Sequence, residues 1–239
     1  MTEPETPHAT AATPSLDDPA YRAALVDLMG VLAYGELSAF VRLAADAALA
    51  PTISDEAALA AMAVAEHRHF VRLRDRLAEL GADPDEAMTP FIASIDGFHE
   101  STAPNDWLEG LMKAYVGDGV SADFYREVAR WLDPESEALV NDVMADTGHS
   151  AFVVAAVRKA IADDPRVAGR LALWGRRLVG EMLSQAQRVA ADRDALSNLL
   201  VGGISGSSVP GFDLAEIGRM FTRLTEAHTR RMQALGLSA

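Results

Sequence analysis

The stretch AVAEHRHFVRL, residues 63–73, places a glutamate and two histidines in an otherwise largely apolar helical segment. Apolar residues around it recur in steps of three and four, which is the spacing of one face of an α-helix. Glu66 and His69 fall on that apolar stripe, whereas at about 100° per residue His67 points away from it. A carboxylate and an imidazole three positions apart on one helix face can reach a single metal ion. This helix is therefore expected to carry part of a metal site.

A second stretch, MADTGHSAFVV at residues 144–154, repeats the pattern with Asp146 three residues before a histidine. Each pair is preceded by a lone carboxylate on an earlier apolar stripe. Glu36 lies 30 residues before Glu66, and Asp118 lies 28 residues before Asp146. The sequence therefore predicts a weak internal duplication of a helical hairpin. Each copy supplies one lone carboxylate and one carboxylate-x-x-histidine pair.

Helix propensity dominates the rest of the chain, because alanine is abundant and β-branched residues rarely cluster. Capping and breaking residues predict helices over about 18–49, 55–80, 105–132, 133–162, from 165 onward and 212–235, with room for a short helix near 90–98. Tight joints within the first two pairs and a long stretch between them indicate two antiparallel hairpins and one crossover. The predicted fold is all-α: a ferritin-like four-helix bundle with additional C-terminal helices.

The same boundaries predict the domain organisation. Residues 1–17 are expected to form a disordered N-terminal tail, because acid, Thr and Pro dominate them. Residues 18–200 form the ferritin-like helical domain, and 201–211 are a Gly/Ser loop that is either a lid or a slack linker. Residues 212–239 are expected to form a C-terminal helix that packs on the same domain.

Composition excludes several classes of function. The chain has no cysteine, which excludes disulfides, thiolate metal sites and a catalytic thiol. Its formal charge of −14 opposes nonspecific binding to polyanions. The N-terminus lacks the basic flank and apolar run of a signal peptide, and no run of about 18 consecutive apolar residues occurs. We therefore expect a cytoplasmic protein without a membrane span.

Six side chains on four helices make up the predicted metal site. Four carboxylates balance two divalent ions, and without metal they would repel one another in a buried core. Oxygen and imidazole ligands suit iron or manganese, and the lack of sulfur disfavours copper(I) and structural zinc. The predicted ligands are Glu36, Glu66, His69, Asp118, Asp146 and His149, with Asp123 as the fallback for Asp118.

The two carboxylate-x-x-histidine pairs, together with KAYVGDGVSADFYREVA at residues 113–129, resemble the diiron tRNA hydroxylases that act on the prenyl group of methylthio-isopentenyl-adenosine. The resemblance covers about residues 21–189. It implies two iron ions, O2 as co-substrate, an external electron donor, and insertion of oxygen into an unactivated C–H bond. Aspartate at 118 and 146 departs from the usual pattern. Because aspartate is shorter than glutamate, the second half-site is expected to be wider, to bind its ion more weakly, or to need a bridging water.

The substrate and partners stay open at this stage. A small molecule or a modified nucleoside would suit an oxidative site, and a tRNA would need a basic approach to its phosphates. Residues 151–195 carry eight Lys or Arg against five acids, so the rest of the chain carries −17. The residues expected to approach a tRNA are Arg166, Arg170, Arg176 and Arg177. A homodimer is compatible with the sequence.

Two interpretations compete with a hydroxylase. A ferritin-like protein that oxidises iron or scavenges peroxide would use the same ligands without an organic substrate. A metal-free helical interaction module would retain the pattern as a relict, since a lone histidine on an apolar stripe is usually a hydrogen-bonded core residue. His67, His99 and His228 are assigned no role as ligands.

Overall fold

Ten α-helices make up the part of the chain that the structure, a computed structural model, describes: residues 14–145, 149–201 and 214–239. The helices are α1 (Pro19–Asp46), α2 (Ile53–Glu79), α3 (Pro84–Met88), α4 (Ile92–Ser101), α5 (Trp107–Ala129), α6 (Pro134–Val143), α7 (His149–Asp163), α8 (Arg166–Asp192), α9 (Asp194–Val201) and α10 (Leu214–Ala234). Short 3-10 turns follow α1 and α3. The prediction of an all-α protein is confirmed.

The first hairpin is formed by α1 and α2, which pack along their length. Asp18 caps α1 by accepting from the backbone N–H groups of Ala20 and Tyr21, and Pro19 occupies the first helical position. Thr52 caps α2, with its hydroxyl 3.1 Å from the Asp55 nitrogen. The second helix therefore begins at Ile53, slightly earlier than predicted, because Thr52 takes the capping role.

Helix α1 is long and apolar enough to cross a membrane by length and composition alone. More than half of that segment is buried within the structure. Leu25, Leu28 and Met29 are almost fully buried in the core that α1 shares with α2 and α3. A central core helix has these properties, because its neighbours cover it on several sides.

The crossover between the hairpins holds two short helices, α3 and α4. Asp83 caps α3 through the backbone nitrogens of Asp85 and Glu86. Helix α4 begins at Ile92, close to the predicted short helix, and packs on α8 and α1. The crossover thereby covers one side of the space between α1 and α5.

The second hairpin differs from the prediction of one continuous fourth helix over 133–162. Asp133 and Pro134 begin α6 as expected, but α6 ends at Val143, and a separate helix, α7, begins at His149. The Arg126 guanidinium donates to the Met144 carbonyl oxygen at this boundary. A carbonyl engaged in this way is satisfied outside the helical ladder, which favours a helix end there. Both α6 and α7 pack on α5.

The C-terminal helices cover the remaining sides of α1 and α5. Helix α8 packs on α5, α9 packs on α1, and α10 packs on α5. Trp174 of α8 donates its ring N–H to the Glu109 carbonyl at 3.0 Å. The predicted tail over 1–17 and loop over 201–211 lie largely outside the described residues.

Candidate metal centre and its cavity

Glu36 of α1 and Glu66 and His69 of α2 form a compact cluster in the first hairpin. One ligand atom from each residue lies within 4.8 Å of the other two. The His69 Nδ1 atom is 3.3 Å from Glu36 Oε2 and 3.7 Å from Glu66 Oε2. The three-residue step on α2 puts Glu66 and His69 on the same face, and the close packing of α1 brings Glu36 opposite them. The structure thus assembles three predicted ligands.

Burial changes the acidity of this cluster. Loss of hydration raises the pKa of Glu36 to about 7, and the charge of Asp118 adds to the rise. The pKa of Glu66 is also raised, mainly by burial and then by its hydrogen bond with Glu36. A bond between two carboxyl groups requires a proton between them, so the metal-free cluster holds a shared proton near neutral pH. A bound cation would replace that proton.

Asp118 of α5 faces the same cluster across the bundle. Asp118 is exposed at the wall of the cavity, and protein atoms still lie close enough around its carboxylate to restrict its hydration. The pKa of Asp118 is raised well above its usual range by burial and then by the charge of Glu66, while Arg231 opposes the shift. Asp118 therefore lies near enough to Glu66 for the two charges to interact, but it is not part of the compact three-residue cluster.

Asp123, the fallback ligand, has another partner. The Arg231 guanidinium of α10 donates to Asp123 Oδ2 at 2.6 Å and to the Gly119 carbonyl at 2.9 Å. Arg126 adds a weaker ion pair with Asp123 at 3.8 Å. A carboxylate engaged by two guanidinium groups is less available to a metal ion. The geometry favours Asp118 over Asp123 as the ligand from α5.

Neither of the remaining two predicted ligands has a described side chain. Asp146 lies outside the described residues, as does the side chain of His149, the first residue of α7. Their participation in the site stays a prediction. The prediction of one continuous fourth helix is wrong, because α6 ends at Val143 and His149 is the first residue of a separate helix, α7.

A cavity of about 580 Å³ adjoins the cluster. Its walls come from α1, α2, α4, α5, the end of α6, α7, α8, α9 and α10. Gly35 of α1 and Gly117 of α5 line it, and a Cβ atom added at either would meet nothing within 4 Å. The volume lies in the range of small-molecule sites. The absence of side chains at these two positions keeps the cavity open next to Glu36 and Asp118.

Several residues at the cavity were not assigned a role from sequence. Tyr125 lines it, and burial together with the nearby Glu36 charge raises the pKa of its hydroxyl to about 12. Arg231 reaches it from α10, and Lys113 and His99 line its other end. Tyr125 lies on the apolar stripe of α5, so its place at the cavity could have been predicted from the sequence. Arg231 comes from a distant helix whose docking no local pattern reveals.

His67, which was expected to point away from the site, is exposed, and its ring lies against Phe40 with 5.0 Å between centroids. That prediction is confirmed.

A family model described as a ferritin-like domain of actinomycetes matches residues 19–203, which is more than half of the chain. The chain belongs to this family. Among solved structures, this ferritin-like chain is similar to "Protein 19 with aldehyde deformylating oxidase activity from Synechococcus". The TM-score is 0.71, with 18% sequence identity over 95% of both chains. No curated protein matches the sequence. The predicted ferritin-like fold is confirmed, whereas these matches give no support to the narrower resemblance to tRNA hydroxylases.

The donor set fits a hard or borderline cation. Three carboxylates and one imidazole are described at the site, and these ligand types suit iron or manganese. Raised carboxyl pKa values indicate that the site lacks compensating positive charge. Divalent ions would supply that charge and remove the repulsion among Glu36, Glu66 and Asp118.

Proposed function

We propose that this ferritin-like protein is an oxygen-dependent dimetal oxidase that acts on a small organic substrate in its cavity. The observation that carries the proposal is the cluster of Glu36, Glu66 and His69 facing Asp118 across an open interior cavity. The ligands for two iron ions would be Glu36, Glu66, His69 and Asp118, completed by Asp146 and His149. Bound iron would supply the electron transfer needed to activate O2.

The finer proposal is a hydroxylase. One oxygen atom of O2 would enter a C–H bond of the substrate, and the other would leave as water. An external electron donor would supply two electrons, and two protons would be taken up. The cavity walls would hold the reacting carbon next to the site and keep bulk water away from it.

This chain's own residues have defined tasks in that scheme. Glu36 and Glu66, which share a proton without metal, would give it up when cations bind. Arg231 would hold α10 against α5 next to the site through its bonds to Asp123 and the Gly119 carbonyl. Tyr125, with its hydroxyl protonated at neutral pH, would offer a hydrogen-bond donor beside Glu36.

The arginines expected to approach a tRNA have other partners. Arg170 pairs with Asp106 at 2.7 Å and with Glu109 at 2.6 Å, and Arg166 pairs with Asp164 at 2.9 Å. The Arg177 guanidinium donates to the Ser101 carbonyl at 2.6 Å, and that of Arg176 to the Ala239 carbonyl at 3.4 Å. Because carboxylates balance the charges of Arg166 and Arg170, and carbonyl oxygens hold the other two guanidinium groups, we favour a small-molecule substrate over a tRNA.

Metal analysis tests the proposal. The full-length protein, expressed in iron-rich medium, is expected to bind about two iron ions per chain, the number that its carboxylates can neutralise. His69→Ala is expected to lose most of that iron. His67→Ala, two positions along the same helix, is the matched control and should retain it. Equal and negligible metal in all three proteins, with melting unaffected by chelator, would support the metal-free module instead.

A second measurement separates oxidase from iron-handling protein. With an added reductant, the iron-loaded oxidase is expected to consume O2 faster when a substrate occupies the cavity. Oxidation of ferrous ions that proceeds beyond the bound pair and ignores organic additives would favour iron storage or peroxide scavenging.

A further inference from the structure

The cavity has a second polar end, built from side chains that the metal site does not use. Arg42 and Asp46 supply it from α1, His99 from α4 and Lys113 from α5. A Cβ atom on Gly110 of α5 would lie 3.7 Å from the Asp46 side chain, while Glu36 and Asp118 face each other farther along. The two helices are therefore antiparallel. Arg42 follows Glu36 on α1, and Lys113 precedes Asp118 on α5. Because the helices are antiparallel, Arg42 and Lys113 lie at the same end of the cavity.

Lys113 is the central residue of this end. It is only 7% exposed, and its ammonium group lies 5.4 Å from the centroid of the Phe98 ring. Among the described residues, no carboxylate lies within ion-pair distance of Nζ; Asp46 acts on it only from farther away. Burial lowers the pKa of Lys113 to about 8, so the group is still mostly charged at pH 7. A buried ammonium without an ion pair is costly, which indicates a place for an anion.

His99 lies beside this ammonium group and is neutral. Burial, followed by the charges of Lys113 and Arg42, lowers its pKa to about 3. Its Nδ1 atom is buried and has no hydrogen-bond partner among the described residues. A neutral imidazole next to a cation can donate one hydrogen bond to an anion without adding charge.

The charge at this end is small and positive. Arg42 and Lys113 contribute two positive charges, and Asp46 contributes one negative charge. The net charge of these three side chains is therefore one positive charge. A single excess charge matches a monoanion such as a carboxylate better than a doubly charged phosphate.

We propose that Lys113 and His99 bind the carboxylate of an amphipathic carboxylic acid whose alkyl chain extends toward Glu36 and Asp118. This assignment of substrate class rests on the oxidase function proposed above. In the metal-loaded protein the ions would balance the acids at the metal end, so the excess positive charge beside Lys113 sets the orientation. At 1.5 Å per helical residue, the α-carbons of Lys113 and Asp118 are separated by about 7.5 Å along α5. The oxidation would therefore fall on the alkyl chain, several carbons from the head group.

Binding of three ligands that differ only in their head group tests the assignment. Octanoate, 1-octanol and octyl phosphate are titrated calorimetrically at pH 7 into the full-length protein, with its metal content recorded. Octanoate is expected to bind at least about tenfold more tightly than 1-octanol, the difference typical of one good polar contact. Lys113→Met should remove that preference, and Lys113→Arg should retain it. Lys159→Met, which removes an exposed lysine of α7, should leave it unchanged.

Affinity for 1-octanol in Lys113→Met reports whether the cavity is still folded. The assignment is overturned if octanoate fails to bind the wild-type protein, or binds no more tightly than 1-octanol. It is also overturned if octyl phosphate binds more tightly than octanoate, or if Lys113→Met keeps the preference. Octanoate binding through Lys113 in a protein that holds no metal would uphold the head-group site while the oxidase proposal fails.

Discussion

The two hairpins carry the same spacing of acids and histidines, yet they build their halves of the site differently. In the first, α1 and α2 are uninterrupted, and the ligand atoms of Glu36, Glu66 and His69 lie within 4.8 Å of one another. In the second, Asp118 faces the cavity from α5, and the partner helix is divided into α6 and α7. The same ligand spacing therefore lies on one unbroken helix in the first hairpin, whereas in the second it falls, along the sequence, after α6 has ended.

The largest expected effect concerns metal affinity. Glu36→Ala should lower the affinity for iron by more than about 100-fold, because it removes a ligand from the preformed half-site, and loss of an outer partner alone costs about 10- to 100-fold. Asp118→Ala should leave one ion bound per chain. Metal content after dialysis and titration of the metal-free protein measure both. Loss of both ions in Asp118→Ala but not in Glu36→Ala would reverse the assignment of the two halves.

The next effect is the pH dependence of stability in chelator-treated protein. Glu36 has a pKa of about 7 when folded and a lower one when unfolded, so the folded state holds the extra proton and loses stability as pH rises through 7. Glu66 acts in the same direction. The melting temperature should fall by roughly 5 °C between pH 6.5 and 8. Starting at 6.5 avoids most of the opposite effect of His99, whose lowered pKa acts mainly at lower pH. Lys113, with its pKa lowered to about 8, opposes the decline only partly and near the upper end of the range.

The combined variant Glu36→Gln, Glu66→Gln should flatten that decline, because neither amide titrates. Glu56→Gln, at an exposed position near the start of α2, should keep the wild-type slope. A slope that is unchanged in the double variant would show that these carboxyl groups are not the source.

Glycine substitutions compare a tight contact of α1 with an open position on α5. A Cβ atom at Gly30 of α1 would overlap the Ala87 carbonyl, so Gly30→Ala should destabilise the protein by roughly 2 kcal/mol. Gly117 of α5 has open space, so Gly117→Ala should stabilise it by about 0.5–1 kcal/mol through higher helix propensity. Denaturant melts measure both. Equal effects at the two glycines would contradict close packing of α1 on α3 at Gly30 and open space beside α5 at Gly117.

The smallest effect concerns the end of α6. Arg126→Met removes the guanidinium that donates to the Met144 carbonyl and should cost about 1 kcal/mol in the free energy of unfolding. If this bond orders the second half-site, iron binding should weaken at one ion only. Arg130→Met, which removes a largely exposed pair with Glu127 on the same helix, is the control and should change neither quantity. Weakened binding at both ions would place Arg126 in the support of the whole site.

Much of the first half-site was predictable because its determinants are local. The step from Glu66 to His69 fixes their shared face at any position in an unbroken helix, and the Asp18 and Asp133 caps are sequence signals with a known backbone consequence. The break after Val143 was missed, although the following Asp146, Thr147 and Gly148 are residue types that favour helix boundaries. The regular hydrophobic stripe on both sides of the break concealed that signal.

The sequence by itself determined the all-α class, the two-hairpin arrangement, and the ligand types of the proposed site, because helical periodicity and short joints act over a few residues. Only the tertiary structure decided the ion pair between Arg231 and Asp123, the open cavity beside Gly35 and Gly117, and the position of the buried Lys113 ammonium beside the Phe98 ring. Those features depend on which helix faces meet across the bundle. The register of that packing is set by the sum of many distant contacts, and no single stretch of sequence encodes it.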